Sequence, residues 1–138
     1  MSLFNVFEIS STALSAQSMR LNSVASNLAN AGVVSGSEEG AYRARQPVFS
    51  SIYDATREAT HRFSGVRVDG IVESDMPPRK EYSPGHPMAD NEGYIYRPNV
   101  NPAEEMANMI SASRSYQSSV EAMNTTKQLI LRTLTLGQ

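Results

Sequence analysis

The chain has 138 residues, one domain's worth, with room for a modest core. Its 12 Lys and Arg against 14 Asp and Glu leave a net charge of −2, which argues against a general nucleic-acid binder, whose surface must be basic enough to displace counterions. With no cysteine, disulfides, thiolate zinc sites and cysteine nucleophiles are excluded.

Proline and glycine divide the chain into three. All seven prolines lie between Pro47 and Pro102, and every glycine except Gly137 lies between Gly32 and Gly93. Residues 1–31 and 103–136 contain neither, so nothing interrupts a helix at either end. At 1.5 Å per residue these helices reach about 45 and 50 Å. The start, "MSLFNVFEIS", lacks the basic region and long apolar run of a secretory signal, and no stretch approaches the roughly 18 apolar residues of a membrane span. A soluble or assembled chain without direct membrane insertion is expected.

The N-terminal segment carries apolar residues in a 4-3 series. Leu3, Phe7, Leu14, Leu21, Val24 and Leu28 form it with Ala31, and Ser10 and Gln17 are polar insertions. That is the pattern of a coiled-coil seam, in which polar members set register at some cost in stability. The outer face is unusual: within residues 1–31 only Glu8 and Arg20 are charged, and "LNSVASNLANA" is almost wholly small and neutral between its leucines. Ser and Asn are poor helix formers, so this helix should be weak alone and steadiest with protein on several sides.

Residues 32–101 read differently. "GVVSGSEEG" is expected to be a mobile loop. "AYRARQPVFSSIY" and "GVRVDGIVES" hold short alternating runs, with Val66, Val68 and Val72 at period two, and predict a small β-hairpin. "SDMPPRKEYSPGHPMADNEGYIYRPN" is rich in proline and turn residues and predicts turns and extended chain.

The C-terminal segment repeats the seam with Met106, Met109, Tyr116, Val120, Met123, Ile130 and Leu134, diluted by Ser113 and Lys127. Asn101 can cap its start, Pro102 suits the first helical position, Glu104 stands where a capping-box acid belongs, and Gly137 can end it. Leu129, Leu131 and Leu136 project to other faces than Ile130 and Leu134, which is more than one partner helix covers. The predicted fold is mainly α with a small β and extended middle, its two terminal helices paired as an antiparallel coiled coil. Residues 1–31 and 102–138 would form one discontinuous helical core domain around a central region, 32–101.

Little in the chain supports chemistry. His61 and His86 sit apart in the middle segment without ligand spacing toward Asp90 or Glu92, and read as exposed turn histidines. There is no nucleophile elbow and no phosphate-binding glycine motif, so no cofactor, metal, nucleic acid or small-molecule substrate is expected and the chain is not read as an enzyme. Arg43, Arg45, Arg57, Arg62 and Arg67 are diluted by Asp54, Glu58 and Asp69, which suits a solvated surface or interface ion pairs.

The stretches "SAQSMRLNSVASNLANA", "YRARQPVF" and "MISASRSYQSSVEAMNTTKQLILRTLTLGQ", with "IVESDMPPRKEYSPGHPMADNEGYIYRPNV" between, resemble the bacterial flagellar axial proteins of rod and hook. The short middle and the "SRSYQ…TLTLGQ" ending are most similar to the C-type basal-body rod proteins of the proximal rod. "GVVSGSEEGAY" stands where many axial proteins have a short "NTPGY" turn. The resemblance implies a structural subunit of a helical tube in the periplasmic part of the basal body, which transmits torque and encloses an export channel. It also implies copies of itself and other rod subunits as partners, and unfolded passage through the flagellar type III export apparatus without a cleaved signal. The competing readings are another rod or hook subunit, or a soluble coiled-coil adaptor or export chaperone. The adaptor would ordinarily carry a charged outer helical face. Leu3, Phe7, Leu14, Leu21, Val24, Leu28, Met106, Met109, Tyr116, Val120, Met123, Ile130, Leu134 and Leu136 are the expected assembly residues.

Overall fold

A computed structural model describes residues 3–54 and 62–136. The order is α1 (Leu3–Asn30), β1 (Arg45–Asp54), β2 (Arg62–Glu73), β3 (Arg79–Tyr82), β4 (Tyr94–Arg97) and α2 (Pro102–Leu136), so the chain is mainly helical with a small β middle. Each helix spans a stretch free of internal glycine and proline. At its end α1 tightens, Ala31 N–H donating to the Leu28 carbonyl at 3.3 Å and Val33 N–H to that of Asn30 at 3.1 Å, just as Gly32 arrives. The start of α2 is capped as expected: Asn101 Oδ1 accepts the Ala103 N–H at 3.1 Å, and its carbonyl accepts that of Glu105 at 3.0 Å. The expected stop, Gly137, and His61 lie outside the described residues.

Two compact units make up the chain: Met1–Leu21 with Pro47–Gly70 and Ser111–Gln138, and Asn22–Gln46 with Ile71–Ile110. In the first, Phe4 and Phe7 of α1 line one groove with Lys127, Ile130 and Leu131 of α2. In the second, Asn27 near the end of α1 bonds Glu105 in the opening turns of α2. The helices therefore run antiparallel, each early part against the other's late part.

Most of the buried side chains on the two helices are small. Ala16, Ser23, Val24 and Asn27 are buried on α1 together with Ser10, and Glu105, Ala112 and Thr126 on α2. On α2 these stand one position before the expected Met106, Ser113 and Lys127, and Met106 and Lys127 are exposed. Small side chains let two helix backbones approach closely, which large methionines at the same positions would prevent.

The first unit carries most of β1 and β2, which pair in a two-stranded sheet. There β2 passes tightly over α1: Val66 N–H donates to Thr12 Oγ1 at 3.3 Å, and that hydroxyl in turn donates to the Ile9 carbonyl at 2.8 Å. Gly65 permits the approach. Its φ of 148° is one that L side chains rarely adopt, and a Cβ there would lie 2.5 Å from Thr12 Oγ1.

The second unit holds a hairpin where turns and extended chain were expected. Strand β3 pairs antiparallel with β4 in the register Arg79↔Arg97, Lys80↔Tyr96, Glu81↔Ile95 and Tyr82↔Tyr94. Alternation supplies the stability that four-residue strands lack. One face buries Ile95 beside the Arg97–Glu81 ion pair at 2.8 Å, while the other sets Lys80 Nζ 4.1 Å above the Tyr94 ring and Tyr82 edge-on to it. The connection closes on Asp90, whose Oδ1 accepts the N–H groups of Tyr94 at 2.8 Å and Glu92 at 2.9 Å, and Gly93 turns with φ 83°. The loop expected to be mobile is tied to this hairpin, Ser35 and Tyr96 exchanging two backbone bonds of 2.9 Å each.

Candidate assembly interface

Three features of the surface bear on function, and α1 supplies the first. Eight of its exposed positions, Phe4, Glu8, Ser11, Ser15, Ser18, Asn22, Ala25 and Ala29, run in an unbroken 4-3 series, with Phe7 and Met19 exposed beside it. Behind them the helix is buried or half-buried over a wide arc. Within each unit a stripe at that spacing faces one direction, and beyond Phe4 and Glu8 every member is small and neutral. Such a stripe has the geometry of a second helix-packing seam.

The second is α2, which is covered only along a narrow line. Met106 is 51%, Ile110 57% and Leu134 64% exposed, and Tyr116, Leu129 and Leu131 are exposed with them. Apolar side chains pointing several ways from one helix are costly in water, about 1.5–3 kcal/mol for each that could be buried.

The third is the groove of about 230 Å³ lined by Phe4, Phe7, Lys127, Ile130 and Leu131, whose surface is entirely apolar. Lys127 lends it only its methylene stem, as long cations do at apolar edges.

These features distribute the expected residues. Val24 is buried; Leu14, Leu21, Leu28, Met109, Val120, Met123 and Ile130 are half-buried; Phe7, Met106, Tyr116 and Leu134 are exposed. Leu3 and Leu136 end the two helices, and their side chains lie outside those described. The groove brings Phe7 and Ile130 together and adds Phe4 and Leu131.

Sequence reasoning missed the polar centre of the second unit. Asn27 is 1% exposed, and its amide makes four bonds. Nδ2 donates to the Arg45 carbonyl at 2.9 Å and to Glu105 Oε2 at 3.0 Å; Oδ1 accepts the Arg45 N–H and the Tyr42 hydroxyl, both at 2.8 Å. The two bonds to Arg45 copy the pairing of a neighbouring strand. Arg45 continues outward, its guanidinium 3.1 Å from Glu73 and 5.8 Å from the centre of the Tyr42 ring. Of the two acids at the start of α2, Glu105 is drawn into this network while Glu104 stays exposed. Nothing in the run of small residues, which also holds Asn22 and Asn30, singled out Asn27.

No group of three or more His, Asp or Glu among the described residues is placed to hold a metal ion, and no described helix is long and apolar enough to cross a membrane. His86 is half-buried in its turn, Nδ1 accepting the Met88 N–H at 3.1 Å.

Residues 7–36 match the family described as flagella basal body rod protein, and residues 91–136 match the one described as flagellar basal body rod FlgEFG protein C-terminal. Over its whole length the chain is 52% identical to the flagellar basal-body rod protein FlgC of Yersinia enterocolitica and 50% identical to that of Salmonella typhimurium. Identity to the protein of that name in Bacillus subtilis is 34% over 150 aligned residues, again covering both chains completely.

Proposed function

Because the chain belongs to the family of flagellar basal-body rod protein FlgC, we propose that its exposed helical faces pack it into the wall of the proximal rod, among copies of itself and other rod subunits. It is a structural rod subunit of the basal body and not an enzyme. The carrying observation is α2, which leaves apolar side chains exposed on several faces while α1 offers a small-residue stripe. One neighbour cannot cover both, so the subunit is built for several.

In this reading the helices stand in a tube that surrounds the axial export channel in the periplasm and carries motor torque. The chain reaches it unfolded through the flagellar export apparatus. Weak intrinsic helicity suits that route, because a segment of Ser, Asn and Ala with a thin apolar seam resists unfolding less than a leucine-rich coiled coil.

The test is complementation of a strain lacking the native protein, scored by swimming, by export into the periplasm and by rods in isolated basal bodies. Leu131→Asp places a carboxylate in the apolar groove and is expected to give an exported subunit that builds no rod. Normal rods and swimming with that variant would remove the groove from the assembly surface. A chain retained in the cytoplasm, bound there to another soluble protein, would favour the adaptor instead.

A further inference from the structure

We propose that the hydrogen bond from Asn27 to Glu105 sets the register of the terminal helix pair, and that these two residues are its specificity determinants. The proposal stands apart from the rod, since it concerns how the chain pairs with itself.

The seam alone specifies alignment poorly. The buried positions of α2 recur in sevens, Glu105, Ala112 and Thr126, with half-buried Ser119 between the last two. On α1, Ala16 and Ser23 are likewise seven apart. At these positions a slip of one heptad exchanges small side chains for small ones, and the half-buried Leu14, Leu21 and Leu28 recur in sevens as well.

Glu105 breaks that near-degeneracy. In the observed alignment its Oε2 accepts the Asn27 Nδ2–H at 3.0 Å. One heptad away Ala112 would face Asn27, and a methyl group accepts nothing. The other three bonds of Asn27 go to Tyr42 and Arg45 and do not sense α2. They hold the amide rigid and fix which way it points: the Arg45 N–H can only donate, so Oδ1 faces it and Nδ2 is left for the carboxylate. A buried donor without its acceptor shifts the balance between alignments about tenfold or more. A buried polar pair that chooses among similar packings is the best-attested use of such groups.

The experiment uses the full-length chain with spin labels at exposed Asn22 and Ala103, offset along the two helices of the second unit, in an osmolyte that favours the compact state. Distance distributions are read for three versions, with helix content measured on the same samples. The wild type and Glu105→Gln, whose amide oxygen still accepts from Asn27, should each give one narrow distance. Glu105→Leu should keep its helix content and add a second population several ångströms away, because a seven-residue slip moves one helix about 10 Å along the other. A single unchanged distance in Glu105→Leu would overturn the proposal, as would two distances in Glu105→Gln or a broad distribution in the wild type. Loss of helix in Glu105→Leu would overturn it too, by making the pair a matter of stability rather than of alignment.

Discussion

Replacing Asn27 by Asp exchanges the amide NH2 for an oxygen and adds one negative charge with almost no change of shape. At neutral pH a carboxylate oxygen would stand where Nδ2 stands, 3.0 Å from Glu105 Oε2 and 2.9 Å from the Arg45 carbonyl oxygen. Two unit charges at that distance repel by about 5 kcal/mol at an effective dielectric constant of 20. The two lost donations add about 1–3 kcal/mol more, and local relaxation returns part of the sum. A net loss of about 4–6 kcal/mol is expected, enough to unfold most of a marginal domain. Both burial and the like charge of Glu105 raise the folded-state pKa of the introduced carboxyl above its unfolded value of about 3.9. The folded state then binds more protons than the unfolded, so the variant's stability falls as pH rises from about 4 through the raised pKa, and stays low above it. Urea titrations of wild type and variant at about pH 4.5 and 7.5 measure this, with much of the defect recovered at the lower pH. Wild-type stability in Asn27→Asp at pH 7.5 would refute the buried, direct contact of the two side chains. A defect independent of pH would refute its electrostatic origin.

Gly65→Ala should cost about 2–4 kcal/mol, since it forces a positive φ on an L residue and drives a Cβ onto the Thr12 hydroxyl; a thermal midpoint within a degree of wild type would mean β2 does not cross α1 so closely. The Asp90 carboxyl is held below its ordinary value first by the Tyr94 N–H, against opposing desolvation, and then by the Glu92 N–H, Lys80 and the Tyr96 hydroxyl. Its contribution is therefore present above about pH 4 and lost as pH falls below it. Amide exchange at Tyr94 should quicken, beyond its intrinsic pH dependence, only in that acid range, and Asp90→Asn should abolish the transition. Leu134→Ser, on a side chain 64% exposed in the isolated chain, should leave its stability in urea within about 0.5 kcal/mol of wild type yet reduce swimming in the complemented strain; an equal loss in both would place Leu134 in the subunit's own core.

Where chain geometry is dictated locally, the sequence was readable. The partition of proline and glycine marked both helices, and Asn101 and Pro102 marked the start of α2 to the residue. The short alternating runs of "AYRARQPVFSSIY" and "GVRVDGIVES" marked β1 and β2. The β3–β4 hairpin was hidden because "PPRKEYSPGHP" is dominated by turn formers, and its strands are held by long-range pairs that no local pattern displays: Glu81 with Arg97, and Lys80 over Tyr94. The tie between Ser35 and Tyr96 is backbone to backbone and leaves no trace in side-chain type. On α2, the seam spacing ran through Met106, Ser113 and Lys127, whereas the fully buried line runs one residue earlier through Glu105, Ala112 and Thr126. Hydrophobicity ranks residues by what they gain on burial, and close helix approach selects them by how little room they take.

That difference connects the fold to the assembly. A helix pair whose fully buried positions are mostly Ala, Ser, Thr and Asn, with its leucines only half-buried, buries less apolar area than a leucine-rich one, so pairing within one subunit yields a modest surplus over the entropy of ordering two long segments. The large apolar side chains that could stabilise the pair, Met106, Ile110, Leu131 and Leu134, are instead turned outward. Had they faced inward, the subunit would be sturdier alone and would have less to gain from neighbours. With the leucines outside, each neighbour added to the proposed wall would cover about 1.5–3 kcal/mol of exposed side chain per residue, and the ordering of the helices would be shared among all the contacts that need it. Polar positions within the seam then take over the task that large knobs perform elsewhere, choosing one alignment among several of similar packing. In the proposed rod, stability is deferred to the assembled state, while alignment is decided within the chain by groups such as Asn27 and Glu105, which contribute more to specificity than to cohesion.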